Sequence, residues 1–148
     1  MNKTYFAALA IAVIGGAGYF AIAPDTPENA PSAQVTAKPS KGVALARVTL
    51  PDALSEQAKI GKQGFDAVCA TCHGENAAGR NGMGPPLVHK IYEPSHHGDA
   101  AFQMAVRGGV RAHHWRFGNM PPQEGLTDAD VKAITRYVRE LQRANGIN

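Results

Sequence analysis

The chain has 148 residues, 18 % of them charged and 44 % hydrophobic, with a formal net charge of +3. That length suits one folded domain better than two, and the charge is too small and too dispersed for a nucleic-acid binder. Two cysteines lie three positions apart, which excludes a disulfide framework, because such scaffolds need several pairs.

The N-terminal segment is membrane-directed. Lys3 supplies a positive start, and residues 5–23 then run for 19 positions without a charge. This is the lower edge of a bilayer span and longer than the usual apolar core of a cleaved leader. Ala21-Ile22-Ala23 has the small-x-small form of a signal-peptidase site, yet Pro24 follows it and disfavours cleavage. Gly15, Gly16 and Gly18 lower the hydrophobicity of the stretch. Residues 1–23 are therefore expected to be a signal-anchor, with a cleaved signal peptide as the alternative; both export the rest of the chain.

From 24 to 50 the composition changes. Pro24, Pro27, Pro31 and Pro39 are spread among Ala, Ser, Thr and Lys without apolar periodicity, the pattern of a semi-rigid disordered linker. The folded domain is expected over 51–148. Ser55 suits the N-cap of a helix reaching Cys69, with Ala58, Phe65 and Val68 facing inward. Gly61 inside that helix implies a close packing contact. A glycine- and proline-rich loop follows from Gly74 to Leu87, then a short helix from Ala100 to Arg107 ended by Gly108-Gly109. Thr127 and Asp130 form a capping-box pattern ahead of Val131, Ile134, Val138 and Leu141 at helical spacing, with Tyr137 beside them. Asn145-Gly146 stops this last helix. No strand pattern stands out, so the fold class is all-α.

Cys69-Ala70-Thr71-Cys72-His73 matches the C-x-x-C-H haem-attachment signature. Each thiol can add to one vinyl group of the macrocycle, and the adjacent imidazole can bind the iron. A thioredoxin-like redox pair would need a preceding strand, and a structural zinc site would need two further ligands. Haem c, one and covalent, is the expected cofactor, and export agrees with it, since such attachment takes place outside the inner membrane.

Residues 55–146 resemble a class I, mono-haem c-type cytochrome domain. Gly61 and Phe65 are similar to the Gly-x-x-x-aromatic face of that family's first helix, and Tyr137 to the aromatic of the last helix that crosses it. Gly84-Pro85-Pro86-Leu87 resembles the family's Gly-Pro-x-Leu turn, which implies that the Pro85 carbonyl accepts from the proximal histidine and orients it. Asn119-Met120-Pro121-Pro122, with Leu126-Thr127-Asp128, resembles the stretch carrying the distal methionine. The resemblance implies three to five helices around one haem, with His73 and Met120 as axial ligands. Met104 lies within a helix, where core filling is expected, and Met83 lies in the proximal loop, on the wrong face.

Five histidines fall outside this pattern: His89, His96, His97, His113 and His114, all within 26 residues. Three readings stay open. They are solvated loop residues, with His113, Trp115 or Arg116 bonding haem propionates; one of them ligates the iron; or they hold a separate copper or zinc ion. The function implied is one-electron transfer, not catalysis, on the periplasmic side of a bacterial inner membrane, tethered by residues 5–23 or soluble there after cleavage. The partners implied are a membrane reductase and an oxidase or periplasmic enzyme. The alternatives are a five-coordinate or bis-histidine haem enzyme or sensor, and a haem protein with a histidine-bound copper site in metal delivery.

Overall fold

The computed structural model describes residues 40–148. The membrane-directed segment and most of the linker expected from the sequence lie outside these residues. Among the described residues, no helix is long and apolar enough to cross a membrane.

The fold is all-helical. Ser55 accepts a hydrogen bond from the Ala58 amide and opens helix α1, Glu56–Gly64. The helical path then widens into one π-helical turn, Phe65–Cys69, before a short helix α2, Ala70–His73. The sequence pattern predicts one uninterrupted helix to Cys69. The π turn inserts an extra residue into the register, a feature that accumulates at functional sites, and it alters which side chains face the core. Phe65 is fully buried, whereas Val68 is only half-buried and lines a cavity.

Helices α3, Asp99–Gly108, and α4, Asp128–Ala144, follow. Helix α4 begins with the full capping box: the Thr127 side chain accepts from the Asp130 amide, and the Asp130 carboxylate accepts from the Thr127 amide. Reciprocal capping of this kind is worth about 1 kcal/mol. Its apolar face carries Val131, Ile134, Tyr137, Val138 and Leu141, all buried.

Helices α1 and α4 cross at the closest approach in the domain. A Cβ built on Gly61 would stand 1.9 Å from the Ala133 carbonyl oxygen, so any larger side chain would push the helices apart. One turn further along, Phe65 meets Tyr137 edge to face, with ring centroids 5.6 Å apart at 62°. Such pairs add about 1 kcal/mol beyond their buried area. The Tyr137 hydroxyl donates to Asn76 Oδ1 at 3.1 Å and so ties the crossing to the loop after α2.

Order begins earlier than residue 51. Leu45 and Ala46 both donate to the Ala78 carbonyl, at 3.1 and 2.9 Å, and Asn81 donates to Val43 at 2.8 Å. Thr49 and Asn145 exchange hydrogen bonds of 2.9 and 2.8 Å at the end of α4. The stretch read as the end of a loose linker is thus fastened to the domain by its backbone amides, a kind of partner that composition does not reveal. Among the described residues only isolated bridge pairs occur, not strands; one of them, Val110 with Met120, closes a loop.

Candidate functional site

A cavity of about 590 Å³ lies between the α1–α2 segment, the Gly-Pro loop, α3 and the 110–121 loop. Its wall includes Cys69, Cys72, His73, Pro85 and Met120, so one space collects every site residue expected from the sequence. Val68, Val131 and Ile134 add an apolar lining. This volume is ordinary for a cofactor pocket.

Helix α2 carries the reactive groups, and its environment sets their chemistry. Burial, with the neighbouring Cys72 as a smaller cause, pushes the Cys69 thiol up to about 11. Redox-active C-x-x-C pairs need the opposite, a thiol pushed down so that thiolate is available. The two thiols are not joined in a disulfide.

His73 Nδ1 lies 2.9 Å from the Pro85 carbonyl oxygen. A carbonyl can only accept, so Nδ1 carries the proton and Nε2 keeps a free lone pair. Burial, partly offset by this bond, holds His73 below the usual histidine range and favours the neutral imidazole that a metal requires. The turn that supplies the carbonyl is pressed against α2. A Cβ on Gly84 would stand 2.6 Å from the Cys72 carbonyl oxygen, and the Arg80 guanidinium donates to the Thr71 carbonyl at 2.6 Å.

Met120 is positioned by its backbone. Its amide and carbonyl each exchange a 2.9 Å hydrogen bond with Val110, and the Ala112 amide donates to Asn119 Oδ1 at 2.9 Å within the same loop. Of the two other methionines weighed from the sequence, one departs from its expected place. Met104 is 65 % exposed and sits at the cavity rim, because the inward residue of α3 is Val106. Met83 is half-buried and lines the same cavity.

Trp115 also lines the cavity, and its indole Nε1 is buried without a hydrogen-bond partner. The Tyr92 hydroxyl is pushed up by burial and drawn down less strongly by the nearby indole, but no aligned hydrogen bond joins the two. An unsatisfied buried donor on a cavity wall is costly unless a ligand supplies an acceptor. Haem carries carboxylates that would do so. The paired thiols, the pre-oriented imidazole, the apolar lining and this orphan donor all fit haem c.

Sequence reasoning missed the polar network behind the site. Arg139, Glu140 and Gln142 are buried on α4. Arg139 donates to the Tyr92 carbonyl and Gln142 Oε1, both at 2.6 Å, and to the His97 carbonyl and Asp99, while its guanidinium lies 4.9 Å from the Phe102 ring centroid. Gln142 donates to the Leu87 and Tyr92 carbonyls at 2.8 and 3.0 Å. The available signal was a glutamine one turn after Val138, on the side of α4 that otherwise reads as apolar.

The extra histidines are brought together in part. His96, His97 and His114 place a ligating atom each within 4.8 Å of one another. His113 lies against His114 with centroids 4.2 Å apart and the rings tilted at 52°, whereas His89 packs on Trp115. Loss of surrounding water, then the neighbouring His113, His97 and His96 rings, hold His114 below the usual histidine range.

Comparison with known proteins identifies the family. The cytochrome c family model matches residues 58–142. Subunit CcoP of the cbb3-type cytochrome c oxidase of Rhodobacter capsulatus is 34 % identical over 90 residues, which cover 57 % of this chain and 29 % of that protein. The chain therefore spans less than a third of that relative's length. Cytochrome cL of the marine methylotroph Methylophaga aminisulfidivorans MPT is 31 % identical, with a TM-score of 0.45, over 57 % of this chain and 53 % of that structure. With the family model matching more than half of its residues, the chain belongs to the cytochrome c family.

Proposed function

We propose that this chain is an exported one-electron carrier that holds haem c through Cys69 and Cys72 and ligates its iron with His73 and Met120. The observation that carries the proposal is the meeting of all four residues on one cavity wall, with the His73 ring already oriented by Pro85. Bound haem c supplies one-electron exchange at its iron. The protein's own residues do the rest. Cys69 and Cys72 fasten the group, and Pro85 fixes the ring orientation of His73 and raises its basicity. Val68, Val131 and Ile134 exclude water from the cavity, which favours the less charged state of the iron. Met120 offers a thioether, a ligand that raises the potential.

In this reading residues 1–23 anchor the protein at the periplasmic face of the inner membrane, residues 24 to about 40 form the tether, and the rest is the electron-carrying domain. A tether raises the effective concentration of nearby partners. The likeness to an oxidase subunit supports a terminal oxidase as one partner; a membrane reductase is the donor in this reading.

A second reading, a five-coordinate or bis-histidine haem enzyme or sensor, is favoured by one observation: His97, His113 and His114 share the cavity wall with Met120. Intact mass spectrometry of the exported protein tests attachment and anchoring together. The expected result is one haem retained after denaturation and a mature chain that still carries residues 5–23. A haem-free mass refutes the carrier; a mature N-terminus at Pro24 refutes the tether alone.

A further inference from the structure

We infer that His96, His97 and His114 form a second metal site, separate from the haem iron, for a divalent first-row ion of the copper(II) or zinc(II) type. The donor set consists of three imidazoles from two segments: the turn before α3 supplies His96 and His97, and the loop closed by the Val110–Met120 bridge supplies His114. An all-nitrogen set selects against magnesium and calcium, which take oxygen ligands, and for copper and zinc, which imidazole suits.

Two features mark the cluster as built rather than accidental. His97 Nδ1 lies 2.6 Å from the Ile91 carbonyl. Since that oxygen can only accept, the proton is on Nδ1 and Nε2 is left as the ligand, the arrangement found behind metal-bound histidines. The backbone of the turn is also held rigidly. The His96 and His97 amides donate to the Glu93 carbonyl at 3.0 and 2.8 Å, and the buried Arg139 guanidinium grips the His97 carbonyl. On the other side, the Ala112–Asn119 bond braces the loop that carries His114.

The dimensions are suitable. Tetrahedral nitrogen ligands about 2.0 Å from an ion stand about 3.3 Å apart. The ligating atoms lie within 4.8 Å of one another, so a rotation moving an exposed ring by about 1.5 Å closes the widest gap. His96 and His114 are exposed, so an ion and its remaining water ligand have access. His113 has its Nδ1 on the Arg111 carbonyl at 2.8 Å and lies beside the site without belonging to the three-donor set. An ion here would cross-link the 96–97 turn to the loop that carries Met120.

The test is a copper(II) titration of the haem-loaded, ferric protein, followed by calorimetry and by electron paramagnetic resonance. The expected result is one copper per haem with roughly micromolar or tighter affinity, and nitrogen couplings in the copper signal. His96→Ala and His114→Ala should each weaken binding by about tenfold or more, and His89→Ala should leave it unchanged. Amide exchange over residues 110–120 should slow when the ion is added. Weaker binding, binding undiminished in both variants, a copper signal without nitrogen couplings or unchanged exchange each overturn the site. The haem spectrum of the same sample separates the outcomes: absence of copper binding beside a normal haem spectrum removes this inference and leaves the carrier reading intact.

Discussion

The two sides of the cavity are built by different means. On the side of His73, position follows from close contact: Gly61 lies against Ala133, Gly84 against Cys72, and Pro85 is bonded to the imidazole. On the side of Met120, position follows from a few backbone hydrogen bonds that brace a loop whose residues, from Arg111 to Asn119, are mostly exposed. The first arrangement resists change, because backbone atoms in contact have nowhere to move. The second tolerates substitution and can open, which local stability depends on. In the proposed reading, the His73 side keeps the cofactor and the Met120 side tunes it.

The largest effect is expected from His73→Ala, which removes the proposed ligand joining α2 to the cofactor. The variant should emerge without haem and without a cooperative unfolding transition by circular dichroism; a well-folded, haem-free domain would break the comparison on its stronger side. Gly61→Val comes next. It forces a side chain into the Ala133 backbone and should destabilise the domain by about 3 kcal/mol, measured by urea unfolding. Arg139→Ala leaves the His97 carbonyl without its side-chain donor and the Tyr92 carbonyl with Gln142 alone, and should cost about 2 kcal/mol, with amide exchange rising around residues 92–98 more than around α2. Uniform acceleration would show that the two sides are not independent.

The smallest effect concerns acid stability. Burial alone would raise the Glu140 carboxyl, but the Ser55 hydroxyl and amide, together with Arg136, outweigh it and hold Glu140 below the usual carboxylate range. A group lowered on folding stabilises above its unfolded value and loses that contribution as pH falls through the folded one. Wild-type stability should therefore decline below about pH 4.3, and Glu140→Gln should flatten that part of the profile. An unchanged acid limb would show that the Ser55–Glu140 tie contributes nothing.

Much of this was legible in the sequence, and for physical reasons. The capping box at Thr127 and Asp130 and the apolar face of α4 are local patterns, and local patterns survive into structure. Gly61 signalled a helix crossing because glycine inside a helix needs a reason. The attachment motif is legible because its chemistry demands fixed spacing. The π turn was not legible, since its extra residue changes register without changing composition, and so Val68 was assigned to the core. Met104 was misplaced because a methionine in a short helix reads alike whether it faces the core or the rim. The early ordered stretch at residues 42–49 depends on the backbone around Ala78 and on the Asn145 side chain, far away in sequence. The meeting of His96, His97 and His114 is likewise a product of tertiary structure, since sixteen residues separate His97 from His114.

The central claim, that Met120 completes the coordination begun by His73, is tested most directly by the optical spectrum of the ferric protein beside that of Met120→Ala. The account predicts a sulfur-to-iron charge-transfer band in the wild type that disappears in the variant, with haem still attached, a lower potential, and cyanide now binding readily to the ferric form and carbon monoxide to the reduced form. A wild type that lacks the band and binds those ligands as freely as the variant would contradict it.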